Sequence, residues 1–258
     1  MDHVRAVLLD IDGVLTVSWE ALPGAIEAVR ALRDAGLPLA LLTNTTSRTR
    51  DRIAERLTAA GFPVSADDVL TAVAATAAHL HEQHPGARCL LLNSGDVSGD
   101  LEGVSLVEDE PDAVVLGGAG PEFTYEALNG VFAHLQHGAA LIAMHRNLYW
   151  RTDAGLELDT GALLLGLEQA AGVEATVVGK PAAAFYTAAL QAVDAPAEHA
   201  VMVGDDLEAD VLGAQSHGIT GVLVRTGKYQ ESDEDGAHGD RPQHVLDSVA
   251  DLPALLGL

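Results

Sequence analysis

Apolar and polar positions alternate in blocks along this chain, and each block carries the period of one kind of element. The run VRAVLL at 4–9 reads as a buried strand. A helix follows over 23–35, with Ile26, Val29 and Leu32 on one stripe and Gly36 as its stop. Residues 38–42 read as the next strand, ending in Thr43-Asn44. Ser47 is placed to cap a helix running to residue 60, stopped by Gly61. Ser65, with Asp67 and Asp68 behind it, predicts one continuous helix to His81.

The middle of the chain repeats the theme. Residues 88–92, 113–116 and 139–143 read as strands, and 125–135 and 161–171 as helices. The closing part predicts a strand at 199–203, a helix at 207–217, a strand at 220–224 and a last helix at 249–256. The polar stretch 230–240, QESDEDGAHGD, reads as a mobile loop. No internal repeat is visible. Strands alternating with helices predict the α/β class with a mostly parallel, Rossmann-like sheet. Turn signals at Pro85-Gly86 and Gly179-Lys180-Pro181 suggest a second α/β module inserted in the first. The division expected is a core of 1–75 and 179–258 around an insert of 76–178.

Charge narrows the partners. The 258 residues carry a net charge of −24 and only two lysines, Lys180 and Lys228. Such a surface repels nucleic acid and anionic membranes. It repels phosphorylated substrates as well, so a phosphate site must bring its own positive charge. Salt adaptation and a GC-rich genome both account for the composition. No apolar run reaches the ~18 residues of a membrane span, and the first strand begins without a basic leader. A single cysteine, Cys89 in the run ARCLLL, excludes an internal disulfide. The cytoplasm is the expected location.

Four points of chemistry sit where strands end: Asp10/Asp12, Thr43-Asn44, Lys180, and the run from Gly204 to Asp210. On an extended strand residues i and i+2 share a side, so Asp10 and Asp12 can face one pocket at the carboxyl edge of the sheet. Asp-x-Asp-Gly also opens calcium loops, but Leu15, Val17 and Trp19 follow where further oxygen ligands belong. Taken together, the four points meet the needs of phosphate ester hydrolysis. That reaction requires a nucleophile in line, neutralised oxygens and an acid for the leaving group. Magnesium favours carboxylate, carbonyl and water oxygens and relieves repulsion between an aspartate and a phosphate. Burial and a neighbouring carboxylate raise the pKa of Asp12 while magnesium opposes that, and the sequence leaves the balance open.

The set DIDGVLT, LLTNTT, VVGKP and VGDDLEAD, in this order, resembles the haloacid dehalogenase superfamily of phosphatases. The insert resembles the C2 cap of subfamily IIA, which includes p-nitrophenyl phosphatase and phospholysine phosphohistidine inorganic pyrophosphate phosphatase types. The resemblance covers nearly the whole chain, including Val224–Tyr229, VRTGKY. It implies that Asp10 attacks phosphorus to form an aspartyl phosphate. It implies that Asp12 protonates the leaving oxygen and then activates water. Asp10, the Asp12 carbonyl and Asp205 would hold Mg2+; Thr43 and Asn44 would bind the phosphoryl oxygens; Lys180 would bridge phosphoryl group and nucleophile. Asp210 would support the metal or Lys180, and Asp206 is a weaker candidate ligand. The substrate class implied is a small phosphorylated metabolite, and a homodimer through the cap is the family's common assembly.

Substrate choice would lie in the insert. His145 and Arg146, beside Tyr149 and Trp150, are candidates to meet an anionic or ring-bearing substrate; the alternative is a strand-end loop with its aromatics packed inward. Asp159-Thr160-Gly161 looks like the loop leading the family's cap helix. His79, His81 and His84 read as a solvated helix face rather than a metal site. A phosphotransferase and a non-catalytic phospho-accepting module are the competing readings. A dehalogenase is disfavoured, because it needs neither magnesium nor an acid at Asp12.

Overall fold

The computed structural model describes residues 1, 3–152, 155–236 and 240–258, with only the backbone of 150–152. The chain divides into two compact units. One comprises Met1–Thr43, Arg50–Leu70 and Lys180–Leu258, the other Asn44–Thr49 and Thr71–Gly179.

The first part of the chain forms strand β1 (Ala6–Asp10), a two-residue hairpin β2 (Thr16–Val17) and β3 (Glu20–Ala21), helix α1 (Ala25–Asp34), β4 (Leu39–Thr43), α2 (Arg50–Ala59) and β5 (Val69–Thr71). Helix α1 stops where Gly36 takes a φ of +72°, which lets Gly36 N and Leu37 N turn back to the Arg33 and Leu32 carbonyls. Helix α2 begins at Arg50, three residues after Ser47, and residues 44–49 belong to the second unit.

The continuous helix expected from Ser65 to His81 is a correction. Ser65 does make a capping box with Asp68, its N accepted by Asp68 Oδ2 at 2.7 Å, but only over a single 3-10 turn. Val69 and its neighbours then join the edge of the core sheet as β5, and helix α3 (Ala72–Gln83) restarts with Thr71 Oγ1 capping Ala74 N at 3.1 Å. Pairing of the short run Val69-Leu70-Thr71 with the core sheet overrides the local helix signal.

The insert continues with β6 (Arg88–Leu92), β7 (Ser105–Leu106), β8 (Ala113–Leu116), α4 (Tyr125–Gln136), β9 (Ala140–Ala143), the antiparallel hairpin β10 (Tyr149–Thr152) and β11 (Gly155–Leu158), α5 (Thr160–Ala171) and β12 (Thr176–Val177). Its five-stranded sheet has the order β12-β9-β8-β6-β7, parallel throughout. Val114, Leu116, Val131, Leu135, Leu141 and Leu164 form its core. Cys89 is buried and unpaired, its thiol pushed up by burial and by Asp112.

The return to the first unit adds α6 (Ala183–Ala192), β13 (Ala200–Gly204), α7 (Gly213–Ser216), β14 (Thr220–Val224), β15 (His244–Leu246) and α8 (Leu252–Leu256). The helix expected over 207–217 is split: Leu207–Leu212 winds as a π-type turn before α7. Part of the loop at 230–240 is ordered as a 3-10 turn, Glu231–Glu234, and its residues 237–239 lie outside the described residues. The core sheet runs β15-β14-β13-β1-β4-β5, and the pairs from β15 to β4 are parallel. The central strands β1 and β13 are buried along their whole length, as expected of parallel strands covered on both faces. No helix among the described residues is long and apolar enough to cross a membrane.

Candidate active site

Register brings the first unit's acids together. In the parallel pair β1–β13, Leu9 stands opposite Val203, so both strands run out at one edge of the sheet. Asp10 closes β1, and Asp205 follows Gly204, the last residue of β13. Asp10 is also opposite Leu42 of β4, which puts Thr43 at the same edge. Four ionisable side chains here are almost wholly withdrawn from solvent: Asp10 is 7 % exposed, Lys180 5 %, Asp205 2 % and Asp210 2 %.

Lys180 is the hub. Its ammonium contacts Asp10 Oδ1 and lies 2.7 Å from Asp210 Oδ1. Carboxylate oxygens of Asp10, Asp205 and Asp210 lie within 4.8 Å of one another. Burial is the largest influence on all three acids and pushes them up, Asp10 and Asp205 to about 6 and Asp210 to about 7. Mutual repulsion adds to the rise, and Lys180 opposes it. Burial pulls Lys180 down, but the Asp10 and Asp210 carboxylates outweigh it and its pKa is raised.

Three buried carboxylates against one ammonium leave negative charge uncompensated. Hard oxygen donors at this spacing suit a hard divalent cation. The wall beside Asp205 is built to the same end. Gly13 (φ +90°) and Gly227 (φ +62°) press against it, and a Cβ on either would fall 2.0 or 1.9 Å from Asp205 Oδ2. The Lys228 backbone N–H donates to that oxygen at 2.7 Å. The residues present therefore fit a bound metal ion.

Asp12 is exposed and its backbone bridges to Thr16. Asp206 is engaged elsewhere: its Oδ1 caps Ala209 N at 3.0 Å and its Oδ2 meets Lys228 Nζ at 3.1 Å. Its pKa is lowered although burial raises it, because Lys228 and the Ala209 N–H more than compensate. Sequence reasoning gave Asp210 only a supporting place; the structure makes it a direct partner of Lys180. It did not single out Gly227 or Tyr186, whose hydroxyl bonds the carbonyls of Ala209 and Asp210. The VRTGKY segment was the available signal for Gly227.

In the second unit, the residues expected to meet substrate are engaged with their own neighbours. The Arg146 guanidinium is held bidentate by Glu168 of α5, at 2.8 and 2.6 Å. His145 is buried, its Nδ1 accepting from Asn147 N at 3.3 Å and its Nε2 3.8 Å from Asp159 Oδ2. Asp159 caps α5, accepting from Thr160 N at 2.8 Å and from Ala119 N at 3.1 Å. Gly161 lies against the Arg146 and Asn147 carbonyls, where a Cβ would be 2.2 Å from the former. Tyr149 is exposed, and the Trp150 side chain lies outside the described residues. Asn44 is half-buried, and Thr46 two residues on accepts from Gly118 N at 2.8 Å. The His79 and His84 rings lie tilted at 57° with centroids 5.8 Å apart, His81 is exposed, and none joins a three-ligand cluster among the described residues.

Residues 7–106 match a family described as haloacid dehalogenase-like hydrolase, and residues 177–252 one described as HAD-hydrolase-like. Phospholysine phosphohistidine inorganic pyrophosphate phosphatase of Danio rerio is 38% identical over 262 residues, covering 99% of this chain and 96% of that one. The 4-nitrophenylphosphatase structure from Thermotoga maritima superposes with a TM-score of 0.92 at 28% identity, over 99% of this chain and 98% of that one. Glycerol phosphate phosphatase from Mycobacterium tuberculosis, solved in complex with magnesium, superposes with a TM-score of 0.88 at 29% identity, over 98% and 78%.

Proposed function

Because this chain belongs to the haloacid dehalogenase-like hydrolases, in the C2-capped subfamily IIA, we propose that it is a magnesium-dependent phosphatase that hydrolyses small phosphomonoesters through an aspartyl phosphate on Asp10. The observation that carries this reading is the contact of Lys180 with both Asp10 and Asp210, beside Asp205, at the carboxyl edge of the core sheet.

Asp10 and Asp205 would hold Mg2+, with the Asp12 carbonyl, and Asp210 stands close enough to share in holding it. The bound ion supplies positive charge between an anionic nucleophile and an anionic phosphate. In the first step an Asp10 carboxylate oxygen bonds to phosphorus. The bond from phosphorus to the ester oxygen breaks, and Asp12 gives that oxygen its proton. Thr43 and Asn44 bind the phosphoryl oxygens. Lys180 keeps its proton throughout, since the two aspartates raise its pKa, and offsets charge on the transferring group. In the second step Asp12 takes a proton from water. The water oxygen bonds to phosphorus, the link to Asp10 breaks, and Asp12 is again protonated.

The insert 76–178 is assigned the selection of substrate. Arg146 is bound to Glu168 and His145 is buried, which favours their shaping the loop after β9. The 4-nitrophenyl and glycerol phosphate activities named for the structural neighbours support small phosphomonoesters as the class. Assaying the full chain with Mg2+ against p-nitrophenyl phosphate and a panel of phosphorylated metabolites tests the proposal: release of inorganic phosphate supports it, and inertness across the panel overturns it.

A further inference from the structure

Tyr186 lies on α6, the helix that follows Lys180-Pro181, and is fully buried. Its hydroxyl points at two carbonyl oxygens, Ala209 O at 2.7 Å and Asp210 O at 2.9 Å. Those carbonyls belong to the turn Leu207–Leu212, which is wound wider than an α-helix. Val211 N reaches back five residues to Asp206 O at 3.3 Å, while Asp210 N reaches back four to the same oxygen at 3.0 Å. Such turns are rare and single, and their geometry is less favourable than an α-helix, so outside support decides their shape.

The support closes on the turn from three sides. A Cβ on Gly204, the last residue of β13, would fall 2.1 Å from Asp210 Cβ. A Cβ on Gly213 would fall 2.7 Å from Pro181 Cβ and 3.2 Å from the Tyr186 hydroxyl. The third side is that hydroxyl itself. It joins the helix that follows Lys180 to the turn that carries Asp210, and Lys180 and Asp210 meet at 2.7 Å. A buried phenol O–H is costly unless it is bonded, and here the bond falls on the backbone of the acid that Lys180 pairs with.

We propose that Tyr186 is a positioning residue for the metal-binding acids: its hydroxyl fixes the wide turn so that the Asp210 carboxylate faces Lys180 and Asp10. This rests on the reading of the acid cluster as a divalent cation site. Phe185, the preceding residue, is equally buried and packs edge-on to Tyr186 with ring centroids 6.3 Å apart, but it carries no hydroxyl to the turn. It therefore separates stability from positioning.

The test titrates Mg2+ into the metal-free full-length protein by calorimetry, for wild type, Tyr186→Phe and Phe185→Leu. Tyr186→Phe keeps the ring and is expected to raise the Mg2+ dissociation constant about five-fold, equivalent to ~1 kcal/mol. Amide exchange over 205–213 in the metal-free protein should quicken in Tyr186→Phe. The KM for p-nitrophenyl phosphate at saturating Mg2+ should stay within about two-fold of wild type, since removing a positioning bond leaves uniform substrate binding in place. Phe185→Leu should lower Tm and leave Mg2+ affinity unchanged. An unchanged Mg2+ affinity in Tyr186→Phe, or an equal loss in Phe185→Leu, overturns the proposal and leaves the phosphatase reading standing. A wild type that binds no Mg2+ overturns both.

Discussion

The Lys180 ammonium lies 2.7 Å from Asp210 Oδ1 and also contacts Asp10, so one cation spans two acids that sit 200 residues apart in the chain. Removing that cation leaves three buried carboxylates facing one another. Lys180→Met should lower kcat/KM by about 10²-fold or more, in line with the ~2.7–4 kcal/mol lost when one transition-state donor is removed. Steady-state kinetics on p-nitrophenyl phosphate measures it. A change below about ten-fold, or ~1.4 kcal/mol, would remove Lys180 from the chemistry.

Gly227 tests the wall around Asp205. A Cβ there would lie 1.9 Å from Asp205 Oδ2, and the φ of +62° is strained for any other residue. Gly227→Ala is expected to weaken Mg2+ binding at least about ten-fold, or ~1.4 kcal/mol. Gly36→Ala has the same kind of backbone, φ +72°, but nothing within 4 Å of its Cβ. It should cost only ~1 kcal/mol of stability and no metal affinity. Equal metal affinities in the two variants would contradict the tight wall.

The acids also set a pH dependence in the metal-free protein. Asp10, Asp205 and Asp210 titrate at about 6, 6 and 7 when folded, against 3.8 for an ordinary aspartate. A folded pKa above the unfolded one means stability that is complete below pH 4 and is lost as pH rises through 6 to 7. Between about pH 5 and 8 the metal-free Tm should therefore fall relative to the Mg2+-loaded protein, with the gap widest at the alkaline end. Calorimetric scans with EDTA and with Mg2+ measure this, and EDTA should abolish turnover. Full activity in EDTA would take the metal out of the account.

His145 has the opposite sign. Burial lowers its pKa below 6.5, with Asp159 working against the shift. A depressed folded pKa gives stability that is present above pH 6.5 and lost as pH falls below it, at a slope of at most ~1.4 kcal/mol per pH unit for one proton. The Tm advantage of wild type over His145→Gln should shrink from about pH 7.5 to 5.5. An advantage that grows on acidification would mean the imidazole is charged in the fold.

Short apolar runs bounded by turn signals leave the plainest trace in a sequence, and the parallel strands Arg88–Leu92, Ala113–Leu116 and Thr220–Val224 were legible to the residue. What escaped was decided by partners distant in the chain. The β2–β3 hairpin turns on Ser18 and Trp19 with φ of +51° and +69°, positions where glycine or asparagine is the usual signal. Val69–Thr71 reads as helix until the edge of the core sheet is there to take it. Asp10 and Asp205 stand out in the sequence because each closes or follows a central strand of the core sheet, where parallel strands run out at one edge. Asp210 reads as a support for the metal or Lys180; its direct contact with the Lys180 ammonium depends on one extra residue wound into the turn at Leu207–Leu212, which the sequence does not signal.

The most direct measurement is rapid acid quench of the full-length enzyme during turnover of a phosphomonoester with Mg2+, followed by mass spectrometry of the peptide that carries Asp10. The account predicts a phosphoryl group on Asp10 itself, absent from Asp10→Asn, which should also lack turnover. Steady turnover with no phosphorylated Asp10, or turnover that survives Asp10→Asn, would contradict it.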